Sequence, residues 1–223
     1  MNEKKRNLNL EKIIGIILFA ILFISMIYSI YKFVVVPFES KSNYSLMLIQ
    51  SILGLVVMFI PSILERRLHL IIPNYMYILY FVFLFCSIYL GEIHNFYYLI
   101  PYWDVIMHAL SAGMLGSLGF IVCRELSDSS HVGVQLNPIF IAFFAFCFAL
   151  AVGAIWEIYE YLSDEFLLVN MQKFRLPDGT LLVGHAALAD TMKDIIVDAL
   201  GALIISVIGY FSIRLKKSKT KDT

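Results

Sequence analysis

Charged residues are scarce in this chain: they make up 15% of its 223 residues, whereas soluble domains average about 25%. Lysine and arginine balance aspartate and glutamate, so the formal net charge is zero. This balance offers no basic surplus of the kind that nucleic-acid binding uses, and we predict no nucleic-acid partner. Hydrophobic residues make up 60% of the chain, which is typical of an integral membrane protein.

Cysteine is also rare. The chain has three, Cys86, Cys123 and Cys147, and their spacing matches neither a zinc knuckle nor a redox motif. We expect all three to be small apolar core residues. Internal repeats are absent, as is a Gly-x-Ser-x-Gly nucleophile elbow, which argues against repeat proteins and against serine hydrolases of that type.

The apolar residues form six long blocks. The blocks cover residues 12–36, 44–64, 72–90, 102–123, 137–162 and 187–213. Each approximates the ~20 residues that a helix needs to cross the hydrocarbon core. Because unpaired backbone groups are costly in lipid, such blocks are helices. The sequence therefore predicts an all-α transmembrane bundle of about six spans, a single domain over residues 1–223, with membrane lipids as its partners. It does not indicate an oligomeric state.

The positive charges predict the orientation of the spans. Twelve of them flank the predicted spans on one side: Lys4, Lys5, Arg6, Lys12, Arg66, Arg67, Arg124, Arg214, Lys216, Lys217, Lys219 and Lys221. The opposite connections hold Lys41, Lys173 and Arg175. The positive-inside rule then places both termini in the cytoplasm and the loop of residues 163–186 outside.

Ionisable side chains within three predicted spans suggest a functional site, because such groups are costly in lipid. In the fourth span, Asp104 and His108 are four residues apart and share a helical face with Ser111. The fifth carries a glycine and three acids at steps of four, three and four: Gly153, Glu157, Glu160 and Asp164. The sixth carries acids at steps of four beside a lysine: Asp190, Asp194, Asp198 and Lys193.

The predicted topology brings these three faces to the same leaflet, so we expect one shared pocket with Asp198 somewhat deeper. Neighbouring carboxylates cannot all stay ionised in low dielectric, and a cation or shared protons must neutralise them. Carboxylates with one imidazole suit Mg²⁺ or Mn²⁺, or Zn²⁺ or Fe²⁺ where the histidine binds. The candidate ligands are Asp104, His108, Glu157, Asp190 and Asp194, with Asp164 and Asp198 as secondary candidates. Glu157 and Glu160 are the candidate general bases.

Three functions agree with this pattern. The first is a metal-dependent enzyme acting on a lipid-linked or envelope substrate at the outer leaflet. The second is a cation or proton translocator. The third is a scaffold that a polar hydrogen-bonded network holds together, and Lys193 beside two aspartates keeps this option open.

Residues outside the spans give less information. The run from Lys173 to Val183 predicts two short strands around a turn at Pro177, Asp178 and Gly179. This hairpin would either form a lid over the helix ends or be solvated without a role. His69 and His131 are expected on the cytoplasmic side, away from the acids. Glu92, His94 and His185 lie in the outer connections and could join the site, although a histidine in a loop is more often simply solvated.

Three motifs in order support a resemblance to a known family: Trp-Asp-x-x-x-His from Trp103, Glu-x-x-Glu-Tyr from Glu157 and Asp-Thr-x-x-Asp from Asp190. Over residues 50–212 the chain resembles the YjdF-like bacterial inner-membrane proteins, and from Asp194 to Gly201 it is distantly similar to VanZ-like proteins. The resemblance implies a multi-pass protein of the bacterial inner membrane and no particular reaction. The positions that it carries over are Asp104, His108, Glu157, Glu160, Asp190, Thr191, Asp194, Gly201 and Ala202.

Overall fold

The computed structural model describes residues 2–37, 41–128, 136–167, 169–176 and 178–219. Within these residues, six helices are long and apolar enough to cross a membrane: Leu10–Val35, Tyr44–Leu68, Asn74–Ile93, Trp103–Ser127, Pro138–Leu167 and His185–Leu215. The described residues contain no β-strand. The prediction of an all-α membrane protein with six spans is confirmed.

The chain divides into two compact units, one ending at Trp103 and the other beginning at Asp104. The first unit contains α1 (Asn2–Val35), α2 (Lys41–Val57), α3 (Ile60–Leu68), α4 (Asn74–Leu84), a π-helical segment (Phe85–Ile93) and α5 (Phe96–Leu99). Its apolar core consists of Leu18, Leu22, Met58, Phe81, Leu84 and Ile88. The π-helical geometry of Phe85–Ile93 was not predicted from the apolar pattern, which looks the same for both kinds of helix.

Pro61 explains why the second span consists of two helices. Proline has no backbone N–H, so the Val57 carbonyl, four residues earlier, loses its ordinary helical donor. The Tyr80 hydroxyl donates to this carbonyl instead, at 2.7 Å. The break between α2 and α3 therefore leaves no unpaired acceptor at Val57.

Apart from Trp103, the second unit contains α6 (Trp103–Asp128), α7 (Pro138–Leu167) and α8 (His185–Lys219). Small residues let these helices approach closely, as is common in membranes. A Cβ placed on Gly201 of α8 would lie 3.0 Å from the Ala112 Cβ of α6. One placed on Gly119 of α6 would lie 2.8 Å from the Ala145 Cα of α7. Larger side chains at these glycines would push the helices apart.

The three cysteines are free thiols, but they differ in exposure. Cys123 is buried and Cys86 is partly buried, whereas Cys147 is exposed on α7. The prediction of a core position is therefore wrong for Cys147. An exposed side chain on a membrane-spanning helix faces an apolar solvent, so hydrophobicity alone does not distinguish the core from the lipid surface.

Candidate metal site

One buried face runs along most of α7. Small residues occupy it first, and polar residues follow towards the C-terminal end of the helix: Ala142, Ala145, Ala149, Gly153, Glu157, Glu160, Ser163 and Asp164. The steps of three and four residues keep these side chains on one side of the helix. This confirms the predicted common face of Gly153, Glu157, Glu160 and Asp164.

The helices α6 and α8 carry matching faces. His108 and Ala112 are buried on α6, one turn apart, and Asp194, Asp198 and Ala202 are buried at four-residue steps on α8. The polar residues lie near the N-terminal ends of α6 and α8 and near the C-terminal end of α7. All three acidic faces therefore meet at one end of the second unit, as the predicted topology requires.

His108 lies at the centre of the cluster. Its Nδ1 atom is 3.3 Å from Asp198 Oδ1. Its Nε2 atom is 3.7 Å from Asp104 Oδ1 and 3.7 Å from Glu157 Oε1. One imidazole thus faces acids from α6, α7 and α8.

Asp194 completes a group able to converge on one ion. Single donor atoms of Asp104, His108 and Asp194 lie within 4.8 Å of one another. The Asp194 side chain is 1% exposed, as is Asp198. A Cβ on Gly153 would overlap the Asp198 carboxylate, so a glycine on α7 makes room for this acid.

Several carboxylate oxygens in the cluster are buried without a hydrogen-bond donor among the described residues. They are both oxygens of Glu157, both oxygens of Asp194, and the Oδ2 atoms of Asp190 and Asp198. A buried carboxylate without a partner costs several kcal/mol or more, so a cation or protons must compensate. Within the cluster, the oxygens around His108 are those that most need a cation.

Two acids at the end of α7 are already paired. Asp164 accepts hydrogen bonds from the backbone N–H groups of Met171 and Gln172, at 2.6 and 3.0 Å. Glu160 accepts one from the Trp156 indole N–H at 2.9 Å. The structure thus uses Asp164 to fasten the following loop, while one oxygen of Glu160 is held by its own helix.

Lys173, in the loop between α7 and α8, enters the cluster from outside the helices. Its ammonium group contacts Asp104 Oδ2 and lies 3.2 Å from Asp190 Oδ1. Burial alone would lower the pKa of Lys173, but the two carboxylates outweigh burial and raise it above its ordinary value. Lys173 is therefore a fixed positive charge at the edge of the cluster.

The same loop has further anchors to the helices. The Gln172 side-chain amide donates to Thr191 Oγ1 of α8 at 2.9 Å and to the Glu157 carbonyl of α7 at 3.4 Å. Farther along, Arg175 and Leu181 form an isolated antiparallel bridge. A single bridge replaces the two short strands predicted for this loop, and Pro177, predicted to lie in its turn, is outside the described residues.

Sequence spacing found most of the cluster and missed part of it. The structure brings together Asp104, His108, Glu157, Asp190, Asp194 and Asp198, although their role as ligands stays a prediction. Lys173 was not expected to lie in the cluster, and the lysine expected beside the acids, Lys193, is exposed. Asp198, expected deeper, has a side chain that is 1% exposed, and it faces His108 directly.

The remaining histidines lie on other parts of the chain. His185 is exposed at the start of α8. His94 lies in the first unit, edge-on to the Tyr89 ring at 4.6 Å between centroids, and Glu92 lies in the π-helical segment of that unit. His69 also lies in the first unit, and His131 is outside the described residues.

Comparison with known proteins identifies relatives without assigning a reaction. An uncharacterized protein of Thermotoga maritima is 27% identical over 152 residues, which cover 68% of this chain and 70% of that protein. No solved structure matches the chain. The YjdF-like and VanZ-like resemblances stay predictions. Residues 39–215 match the family described as a predicted membrane protein, DUF2238, and the chain belongs to that family.

Proposed function

We propose that this protein is a metal-dependent membrane enzyme whose cluster around His108 holds a divalent cation. The observation that carries this proposal is the set of buried, unpaired carboxylate oxygens on Glu157, Asp194 and Asp198. Each would need a hydrogen-bond donor if the cluster only held the helices together. A divalent cation neutralises several of them at once.

Asp104, His108 and Asp194 are the proposed primary ligands, because their donor atoms lie close enough to converge on one ion. Glu157, 3.7 Å from His108, and Asp190 are further candidates. A mixture of carboxylates with one imidazole is compatible with Mg²⁺, Mn²⁺, Zn²⁺ or Fe²⁺. A bound ion would polarise a substrate oxygen or lower the pKa of a bound water.

Glu157 is the better placed of the two candidate general bases. Neither of its oxygens accepts a hydrogen bond from the described residues, whereas Glu160 already accepts one from Trp156. A general base must be free to take a proton from water or from a substrate hydroxyl. Glu160 is then a supporting acid one turn away.

The proposed substrate is lipid-linked or part of the cell envelope, at the outer leaflet of the bacterial inner membrane. The charge asymmetry of the sequence supports this orientation, since it places the connection between α7 and α8 outside. Burial supports access from the same end of the unit: the side chains of Asp104 and Asp190 are 16% and 13% exposed, whereas Asp194 and Asp198 are each 1% exposed. The opening of the site thus lies beside the loop that carries Lys173.

A cation or proton translocator is the alternative, and it needs a polar path beyond the cluster. On α8 the next buried polar residue after Asp198 is Ser206, two turns farther on. The residues between them are alanine, glycine, leucine and isoleucine. This apolar stretch favours a site that opens at one end.

Metal content tests the site. The protein is purified in detergent without chelator, supplied with Mn²⁺ or Zn²⁺, dialysed and analysed by mass spectrometry beside Asp194→Asn and His108→Gln. We expect metal in the parent and its loss in both variants. Glu165→Gln, which changes an exposed acid on α7, is the matched control and should keep the metal. A parent without metal, or variants that bind it equally, would contradict the proposal.

A second experiment tests activity. Metal-loaded parent and Asp194→Asn proteins are reconstituted with envelope lipid extract, and the lipids are compared by mass spectrometry before and after incubation. A change that needs both the metal and Asp194 supports an enzyme. A metal-loaded parent that leaves every lipid species unchanged but carries cations across the liposome membrane would favour the translocator.

Orientation needs its own measurement. In a background without the three native cysteines, Val183→Cys is placed in the exposed loop and Arg214→Cys near the far end of α8. A membrane-impermeant maleimide should label Val183→Cys in intact cells and Arg214→Cys only after permeabilisation. The reverse pattern would contradict the outer-leaflet proposal.

A further inference from the structure

Lys173 divides the acidic cluster into two parts. In the outer part, its ammonium group lies between Asp104 and Asp190. In the inner part, Glu157, Asp194 and Asp198 surround His108 and keep buried oxygens without donors. The outer acids have their positive charge from Lys173, whereas the inner acids need a bound cation or protons.

Asp104 is shared between the two parts. Its Oδ2 atom contacts the Lys173 ammonium, and its Oδ1 atom lies 3.7 Å from His108 Nε2. One carboxylate thus faces two neighbouring cation positions. Hydrolases with two metal ions use a similar pair of adjacent cations, held by shared ligands, to act on one substrate.

The backbone at Lys173 supports a specific role for this side chain. Its φ is +48°, in the left-handed region that residues other than glycine rarely adopt. Such a conformation is unfavourable for a residue with a side chain and persists where the surrounding contacts fix it. Here it accompanies a side chain that reaches acids on both α6 and α8.

Closing the loop does not by itself require this lysine. Asp164 holds the backbone N–H groups of Met171 and Gln172, and the Gln172 side chain holds Thr191. These contacts lie immediately before Lys173 and already fasten the loop to α7 and α8. The main contribution of the ammonium group is therefore its positive charge, because other contacts already hold the loop in place.

We propose that the Lys173 ammonium takes the place of a second metal ion, so that the cluster holds one divalent ion per chain. The inference rests on the proposed metal site and adds to it a fixed, protein-supplied cation beside Asp104 and Asp190. Removing this cation should open a second metal position between those two acids.

Mn²⁺ stoichiometry tests the inference in the full-length protein, by equilibrium dialysis and by electron paramagnetic resonance. The parent should bind one ion per chain, and Lys173→Met should bind two. Two ions that share Asp104 would couple magnetically, so the spectrum of Lys173→Met should be broader than that of the parent with its single ion. Lys173→Arg, which keeps the positive charge, should bind one.

Two further variants locate the effect. Lys193→Met removes an exposed positive charge from α8 and should leave the stoichiometry at one, which controls for a general change in charge. Adding Asp190→Asn to Lys173→Met should return it from two to one, because the second position loses a ligand. Amide exchange of Met171 and Gln172 in Lys173→Met checks that the loop stays closed.

The outcomes separate the two proposals. If the parent binds one ion and Lys173→Met also binds one, or binds two that do not couple magnetically, the inference is overturned and the metal site stands. A parent that binds two ions would do the same. A parent that binds none would overturn the metal site, and the inference with it.

Discussion

His108 and Asp198 face each other across α6 and α8, with 3.3 Å between Nδ1 and Oδ1. A carboxylate at this distance favours the tautomer with its proton on Nδ1, which leaves the Nε2 lone pair directed towards Asp104 and Glu157. Histidines that bind metals commonly donate their other ring N–H to such a carboxylate. Asp198 thus orients His108, the proposed ligand, besides being a candidate ligand itself.

Replacing Asp198 with asparagine should therefore weaken metal binding without removing it. The amide N–H₂ group would donate to Nδ1, shift the ring proton to Nε2 and turn the proposed ligand atom into a donor. Loss of such a partner usually lowers metal affinity about 10- to 100-fold. A competition titration with a fluorescent chelator measures the change, and Glu165→Gln serves as the control. Unchanged affinity in Asp198→Asn would mean that Asp198 does not orient His108.

Gly153 should tolerate no side chain, because a Cβ there would overlap the Asp198 carboxylate. We expect Gly153→Ala to destabilise the protein by about 1–3 kcal/mol, as overpacking in a core does, and to reduce its metal content. Gly113 is the matched control, since a Cβ there would make an ordinary 3.6 Å contact with Ile205. Gly113→Ala should be neutral or stabilise the helix by up to about 1 kcal/mol. Thermal unfolding in detergent compares the two, and equal effects would contradict the steric argument.

The sequence predicted the parts of the site that lie within helices. Periodicity places Glu157 and Glu160 on the same face as Gly153, and the four-residue steps of Asp190, Asp194 and Asp198 do the same on α8. Hydropathy places the spans, and the charges on their flanks indicate that three acidic faces meet at one end. These inferences depend only on regular helical geometry and on the presence of a membrane, so the structure agrees with them.

The missed features depend on contacts that no periodic pattern encodes. Lys173 reaches Asp104 because Asp164 fixes the path of the loop, and the path of a loop does not follow from residue spacing. Asp198 was expected deeper than Asp190, and its side chain is 1% exposed where that of Asp190 is 13% exposed, but residue spacing did not predict its direct contact with His108. The close packing of Gly201 against Ala112 accompanies this contact between α6 and α8. Helix separation and crossing, rather than position along one helix, decide which side chains meet.

Asp164 should act on the loop and leave the metal in place. Removing its carboxylate with Asp164→Ala deletes hydrogen bonds to the N–H groups of Met171 and Gln172, and hydrogen bonds to charged groups contribute about 1.5–3 kcal/mol. We expect these two amides to exchange at least tenfold faster while metal content is unchanged. Asp178→Ala, which removes an acceptor for the Thr180 N–H in the exposed turn, is the control. Loss of metal without faster exchange would instead make Asp164 a ligand.

In the first unit, Tyr80 and Pro61 should be energetically coupled through the Val57 carbonyl. Tyr80→Phe removes the donor to a carbonyl that Pro61 leaves without a helical partner. It should cost about 0.6 kcal/mol, the average for hydrogen bonds between membrane helices, and at most about 1.7 kcal/mol. In a Pro61→Ala background the alanine N–H can donate to Val57, so the same change should cost measurably less. The four proteins form a double-mutant cycle, measured by unfolding in detergent. An interaction energy near zero would show that the Tyr80 hydroxyl does not compensate for the proline, and that the break between α2 and α3 tolerates an unpaired carbonyl.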